Sequence, residues 1–366
     1  MVQRPAERAV GLCWARVGAE GEGWPGVQVV ETVLEEGGPP HLAIVYLDLM
    51  PPVRRGDRVL LNTTAEQLEL GSGGYHLVVS HQRASQELSG PGHLMKLRYT
   101  PWQLKVFGPE DPAHPDHQRL LAADHLGGMP VAAAELYSQL GPLAAAFAAL
   151  APGRRLVWVM NDSAALPHAL GRLAAELRAA GLLAATVSAG QAFGGEVEAV
   201  TVHSALLIAR HLLGADAVAV SGGPGLLGSS TPFGHTGIAQ GEALNATAAL
   251  GGRPLAVLRM SEADPRARHR GLSHHTRTVL SRVVLAPVAL ALPANCPPAL
   301  ADQLEQEFGG RHQVLRQDSL PSWRGVVEAK GVEVRSMGRG YDQDPLYFEA
   351  AAAAGAALAE WVRQDG

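Results

Sequence analysis

The densest group of chemistry-bearing residues in this 366-residue chain lies at 261–277, SEADPRARHRGLSHHTR. Arg266, Arg268, His269, Arg270, His274, His275 and Arg277 fall within twelve residues, with no acid between Asp264 and Asp302. Guanidinium forks bind phosphate or carboxylate through two hydrogen bonds, and clustered imidazoles can carry protons. The segment therefore suits an anionic substrate, against the plainer reading of a solvated basic loop. Its histidine spacing, H-x4-H-H, matches no established ligand pattern such as H-E-x-x-H, so no metal is expected. Asp264 could orient one of the imidazoles.

A second candidate is the glycine loop at 221–230, SGGPGLLGSS, with G-x-G-x-x-G at Gly223, Gly225 and Gly228 directly after an apolar run. Glycines let backbone approach a ligand, and successive N–H groups make an anion-binding concavity. A ligand-free tight turn explains the string as well. A dinucleotide fingerprint fits poorly: the next helical stretch opens some eight residues later, and Glu262 and Asp264 lie more than 30 residues downstream rather than about 20. His235, in TPFGHTG at 231–237, precedes a helix expected from Gly237. A helix N-terminus disfavours imidazolium, so His235 is expected neutral, as a base or as a ring that caps the helix. Glu242 is expected near it.

These residues need a scaffold that gathers them. From Met129 onward, apolar runs at 130–136, 155–162, 183–190, 215–222, 253–261, 287–293 and 312–318 alternate with amphipathic stretches. The helices are expected at 142–150, 166–180, 197–213, 237–250, 275–285, 298–308 and 345–363. Continuous apolar strands separated by helices predict a mostly parallel sheet covered on both faces, a Rossmann-like α/β domain over 120–366. The first 110 residues instead show short runs at 27–33, 41–49, 58–61, 75–79 and 94–106 between Gly and Pro, which predicts a small β-barrel-like domain. The stretch 108–119, with three prolines and alternating charges, is the expected linker.

In such sheets ligands bind beyond the carboxyl ends of the strands. That places Glu135, Gln139, Asp162 and Gln191 in the cleft with the loops above, although Asp162 could simply cap a helix. Arg339, between two glycines, could add a cation to the same edge. His203, inside the apolar stretch 197–213, is expected to be a satisfied core histidine. The alanine-rich surfaces at 349–360 and 143–150 could support a homodimer.

Composition removes other classes. Thirty Lys and Arg against 35 Asp and Glu give a net charge of -5, and 5% of residues are aromatic, so nucleic acid is a disfavoured partner. Cys13 and Cys296 lie far apart without C-x-x-C spacing, which points to a reducing compartment. The first eleven residues carry Arg4 and Arg8 but no apolar segment, and no apolar stretch reaches the roughly 18 residues that span a bilayer, so a cytoplasmic protein with no membrane contact is expected. There is no G-x-x-x-x-G-K-[ST] and no G-x-S-x-G, and the three lysines, Lys96, Lys105 and Lys330, follow no Schiff-base motif. The cofactor stays unknown.

Several strings together resemble an uncharacterised bacterial family catalogued as domain of unknown function 3866: GHLMKLRYTP at 92–101, ELYSQLGPLAAAF at 135–147, GQAFGGEVEAV at 190–200, FGHTGIAQGEALN at 233–245, DPRARHRGLSHHT at 264–276 and SMGRGYDQDPLYFEAAAAAG near the end. The resemblance covers nearly the whole chain and implies no activity. From the residues themselves, the expected function is an enzyme acting on a small anionic compound, phosphorylated or carboxylated. Its acids and bases would be drawn from His235, Glu242, Asp264, His269, His274 and His275, and its anion binders from Gly223, Gly225, Gly228, Arg266, Arg268 and Arg270. The alternative is a noncatalytic ligand-binding or regulatory protein.

Overall fold

The computed structural model describes residues 10–69, 74–83, 85–163, 166–317, 320 and 322–365. Arg4, Arg8 and Asp318 lie outside them. The chain divides into two compact units, one ending at Gly90 and the other beginning at Pro91.

In the first unit, β1 (Leu12–Glu20), β2 (Val27–Leu34), β3 (His41–Tyr46), β4 (Arg58–Asn62) and β5 (Tyr75–His81) close a barrel in the order β1-β2-β3-β5-β4, with the short α1 (Thr64–Gln67) after β4. Buried Ala15, Val17, Val59 and Leu61 alternate with outward residues, as the two-residue period of a strand requires. The expected runs at 27–33, 41–49, 58–61 and 75–79 supply four of these strands. The fifth, β1, was not among them, because Arg16 and Gly18 interrupt its apolar residues.

The second unit opens with the hairpin β6 (Leu94–Lys96) and β7 (Leu104–Val106), then α2 (His117–Leu121). The stretch 94–106, read above as part of the barrel, belongs here: the Lys96 ammonium is buried, pairs with Glu198 at 2.5 Å and donates to the carbonyl of Ser188. Nor is 108–119 a loose linker. The fully buried Asp111 carboxylate accepts the backbone N–H groups of His93 and Ala113 and folds it into a turn.

There follow β8 (Pro130–Ala133), α3 (Leu140–Leu150), β9 (Leu156–Met160), α4 (Arg172–Ala179), β10 (Ala185–Ala189), β11 (Val197–Ala199), α5 (Val202–His211), β12 (Ala217–Ser221), α6 (Ile238–Ala249) and β13 (Arg253–Ala256). A two-residue hairpin, β14 (Met260–Ser261) and β15 (Gly271–Leu272), leads to α7 (His274–Thr278), β16 (Ala289–Pro293), α8 (Pro298–Phe308), β17 (Gln313–Gln317), α9 (Trp323–Ala329) and α10 (Pro345–Gln364). Eight strands form one parallel sheet, β11-β10-β9-β12-β8-β13-β16-β17. This is the expected Rossmann-like architecture. Leu143, Phe147, Leu177, Trp323 and Phe348 pack on one face, from α3, α4, α9 and α10. Leu206, Leu244, Val279 and Leu304 pack on the other, from α5, α6, the turn after α7, and α8.

Two expectations change. The stretch 197–213 is not one helix: Val197–Ala199 pairs with β10 as the edge strand, and Thr201 caps α5 by accepting the Ser204 N–H. His203 then lies on the exposed side of α5 rather than in the core. The alanine-rich faces of α3 and α10 are buried in the core of this chain, so they offer no free surface for a homodimer. Small residues let the two helices approach closely. A Cβ on Gly355 would sit 2.1 Å from the Leu143 carbonyl oxygen. Gly355→Ala should therefore lower stability by about 2–3 kcal/mol despite its better helix propensity; a urea unfolding curve unchanged from wild type would contradict this packing.

Candidate active site

The chain leaves β8 toward the α3 face but leaves β12 and β13 toward the α6 and α7 face. Helices diverging from adjacent strands open a crevice at their carboxyl ends, the place where such sheets bind ligands. Four segments meet there. Glu135 stands two residues beyond β8, Arg259 beyond β13, His235 just before α6, and His269, His274 and His275 around the start of α7.

At the centre is the Glu135 carboxylate, with no exposed side-chain surface. It accepts hydrogen bonds from Arg259 Nη1 at 2.7 Å, His275 Nδ1 at 2.7 Å and Thr276 Oγ1 at 3.1 Å. Burial alone would raise its pKa, but the His275 hydrogen bond and the Arg259 charge outweigh that and hold it down at about 2. A carboxylate can only accept, so His275 presents its hydrogen at Nδ1. Its Nε2 is buried without a hydrogen-bond partner.

The four rings are in contact. His235 stacks on His275 with centroids 3.7 Å apart and planes within 6°. His274 lies 4.3 Å from His275, and His269 lies 5.0 Å from His274 and 4.9 Å from His275. Ser273 anchors the group: its hydroxyl bonds His269 Nδ1 at 2.9 Å and accepts the His275 N–H as the cap of α7. Burial pushes His235 down to about 4, with the nearby His275 adding to the effect. His269 falls to about 3 through burial and the Arg259 charge, and His274 is lowered by burial and by His275. These three imidazoles are neutral at pH 7. Glycines make the approach possible, since a Cβ on Gly228 would stand 3.0 Å from His275 Cε1, and one on Gly237 2.8 Å from Glu135 Cγ.

A ring of arginines and acids supports this centre. Asp264 is fully buried, and although burial opposes its ionisation, hydrogen bonds from the Arg266 side chain and backbone hold its pKa well below the carboxylate range. Arg259 lies 3.6 Å from it and Arg339 3.8 Å, so the expected cation on this edge is present. Arg339 also lies 3.4 Å from Asp344, which accepts from Ser261 Oγ at 2.7 Å. Arg270 Nε donates to the Asp264 carbonyl, and Arg268 is exposed near His274.

The expected residues therefore separate. His235, His269, His274, His275, Glu135 and Gly228 converge. Asp264 belongs to the adjoining arginine network and touches no imidazole nitrogen directly; Arg266, Arg268 and Arg270 are exposed. Gly223 packs toward Met160 and Leu166, and Gly225, at φ +95°, has open space around it. Gln139 is structural, donating to the Leu258 carbonyl and accepting the Leu136 N–H. Gln191 accepts the Leu97 N–H. Asp162 and Glu242 lie further along the edge, in a cavity of about 240 Å³ with Asn161, Gly190 and Thr201. That cavity holds two acids and no base, which suits an anion poorly. Asp162 does not cap α4, which begins only at Arg172 with Gly171 at its N-cap. A larger cavity, about 510 Å³, lies at the amino ends of the strands, where Arg154 pairs with Asp216 and Arg253 with Asp365. Arg259 and Asp344 escaped the sequence reading. Arg259 carried a signal: an arginine inside the apolar run 253–261 must find a buried partner.

The fold and site define a protein with a barrel and a doubly covered parallel sheet whose switch point carries four histidines around a buried carboxylate. A family described as "Protein of unknown function (DUF3866)" matches residues 42–355, and the chain belongs to it. No curated protein and no solved structure matches. Among the described residues, no helix is long and apolar enough to cross a membrane.

Glu135→Ala would leave Arg259, whose side chain is 3% exposed, with Asp264 at 3.6 Å as its remaining carboxylate. Removing one partner of a buried ion pair costs about 3–5 kcal/mol. Urea unfolding should show that loss; a change below about 1 kcal/mol would mean that water reaches Arg259.

Proposed function

We propose that the protein is an enzyme that binds a small anionic compound, phosphorylated or carboxylated, at the carboxyl ends of β12, β8 and β13 and transfers protons on it through histidine. One observation carries this reading: His274 and His275 each bury an Nε2 without a hydrogen-bond partner, and neither ring nitrogen of the adjacent His235 makes a well-formed bond. A buried polar atom left unsatisfied costs about 1–3 kcal/mol, so several in one place favour a site that a ligand completes.

The chemistry follows from the surroundings. Arg268 lies exposed near His274 and can draw in and grip an anion, while Arg266 and Arg270, bonded to Asp264, add positive charge to the same rim. His235, neutral at pH 7, can accept a proton. Glu135 fixes the ring of His275, as an orienting carboxylate does for a catalytic imidazole. No covalent intermediate is needed.

The test is a panel of phosphate esters and carboxylates, screened by thermal shift and then by NMR for conversion. At least one compound should bind and be converted. Arg268→Ala should weaken its binding roughly tenfold, the loss of about 1.4 kcal/mol, and His235→Ala should abolish conversion while leaving the melting temperature within a few degrees. Binding retained with no reaction would instead identify a noncatalytic ligand-binding protein, and binding of no anion would refute the proposal.

A further inference from the structure

His269, His274 and His275 do more than touch. One ring nitrogen from each lies within 4.8 Å of the other two. Nitrogens held about 2.1 Å from a single ion stand about 3.4 Å apart, so modest ring rotations would close the set. We propose that these three histidines form a binding site for a zinc-like divalent transition-metal ion, with the fourth coordination position open to the crevice beside His235.

Three features of the chain support it. His275 Nδ1 is held by Glu135 and His269 Nδ1 by Ser273, which leaves the Nε2 of each ring, and Nε2 of His274 and of His275 is buried and unpartnered. The two anchoring contacts have the form of an outer shell, since a metal-binding histidine commonly gives its second nitrogen to a carboxylate or hydroxyl that fixes the ring. The donor set also selects the ion. Imidazoles alone suit zinc, cobalt, nickel or copper rather than magnesium or calcium, and three histidines with a free position are the pattern of a catalytic centre rather than a closed structural one. His235 is stacked on His275 and lies outside the three-nitrogen group, so it stands beside the open position as a proton carrier rather than as a ligand. The linear spacing hides this arrangement. The turn before α7 brings His269 back onto His274, and Glu135, distant in sequence, fixes the third ring.

The inference deepens the enzyme reading above, but its test needs no substrate, so the two can fail separately. Tag-free, full-length protein would be stripped with a chelator and titrated with Co²⁺ and Zn²⁺, following visible absorption and bound metal. One ion should bind through this set. H274A and H275A should each weaken it at least a hundredfold, and E135Q, which removes the charged support of His275 without removing a ligand, roughly ten- to a hundredfold. The barrel holds a second grouping of His41, Glu66 and His76, in which Glu66 is half exposed. H76A should therefore leave the ion bound in the second unit unchanged. X-ray absorption of the zinc-loaded wild type, which requires no variant to fold, should show a first shell containing imidazole nitrogen. A shell of oxygen only, no Co²⁺ spectrum, or binding that survives the triple variant H269A/H274A/H275A would overturn the site, even if anionic compounds still bind.

Discussion

A carboxylate without exposed surface stays ionised only if cations and hydrogen-bond donors surround it, and Glu135 is held in this state by Arg259, His275 and Thr276. Its position at the end of β8, between strands whose helices leave on opposite faces, decides everything around it. Arg259 is drawn in from β13, α7 is fixed through His275 and Thr276, and the loop before α6 is pressed close enough for Gly228 and Gly237 to be needed. The four imidazoles gather because this pair fixes one of them and Ser273 fixes its neighbour.

Much of this was legible in the sequence, for identifiable reasons. Parallel strands covered on both faces leave long apolar runs, so most sheet strands stood out between amphipathic helices. The stretch 261–277 announced itself through the density of its basic residues, and Glu135 through its place after an apolar run. Failures came where one pattern hid another. Val197–Ala199 is an edge strand whose apolar residues run straight into α5, and periodicity alone merged them. The Leu94–Val106 segment has strand character but no partner in the barrel, because burial of Lys96 ties it elsewhere. Glu242 is close to His235 in sequence, yet the direction of α6 turns it toward a different cavity.

The arginines teach a related lesson. Clustered in sequence, Arg266, Arg268 and Arg270 suggested a shared anion grip, but Arg266 is committed to Asp264 and Arg270 to a backbone carbonyl. Burial rather than density marks the guanidinium on which the site depends, which is Arg259. The same contrast separates the histidines. His203 sits in an apolar stretch and is exposed, whereas His269 and His275, in a segment that reads as a basic loop, are buried.

The central claim is that ionised Glu135 sets which nitrogen of His275 carries the hydrogen. Nitrogen-15 NMR of selectively labelled histidine, with His275 assigned by substitution, reads this directly at pH 7. The account predicts a hydrogen on Nδ1 in the metal-free protein, no longer fixed there in Glu135→Leu. A bare Nδ1 in the wild type would contradict it.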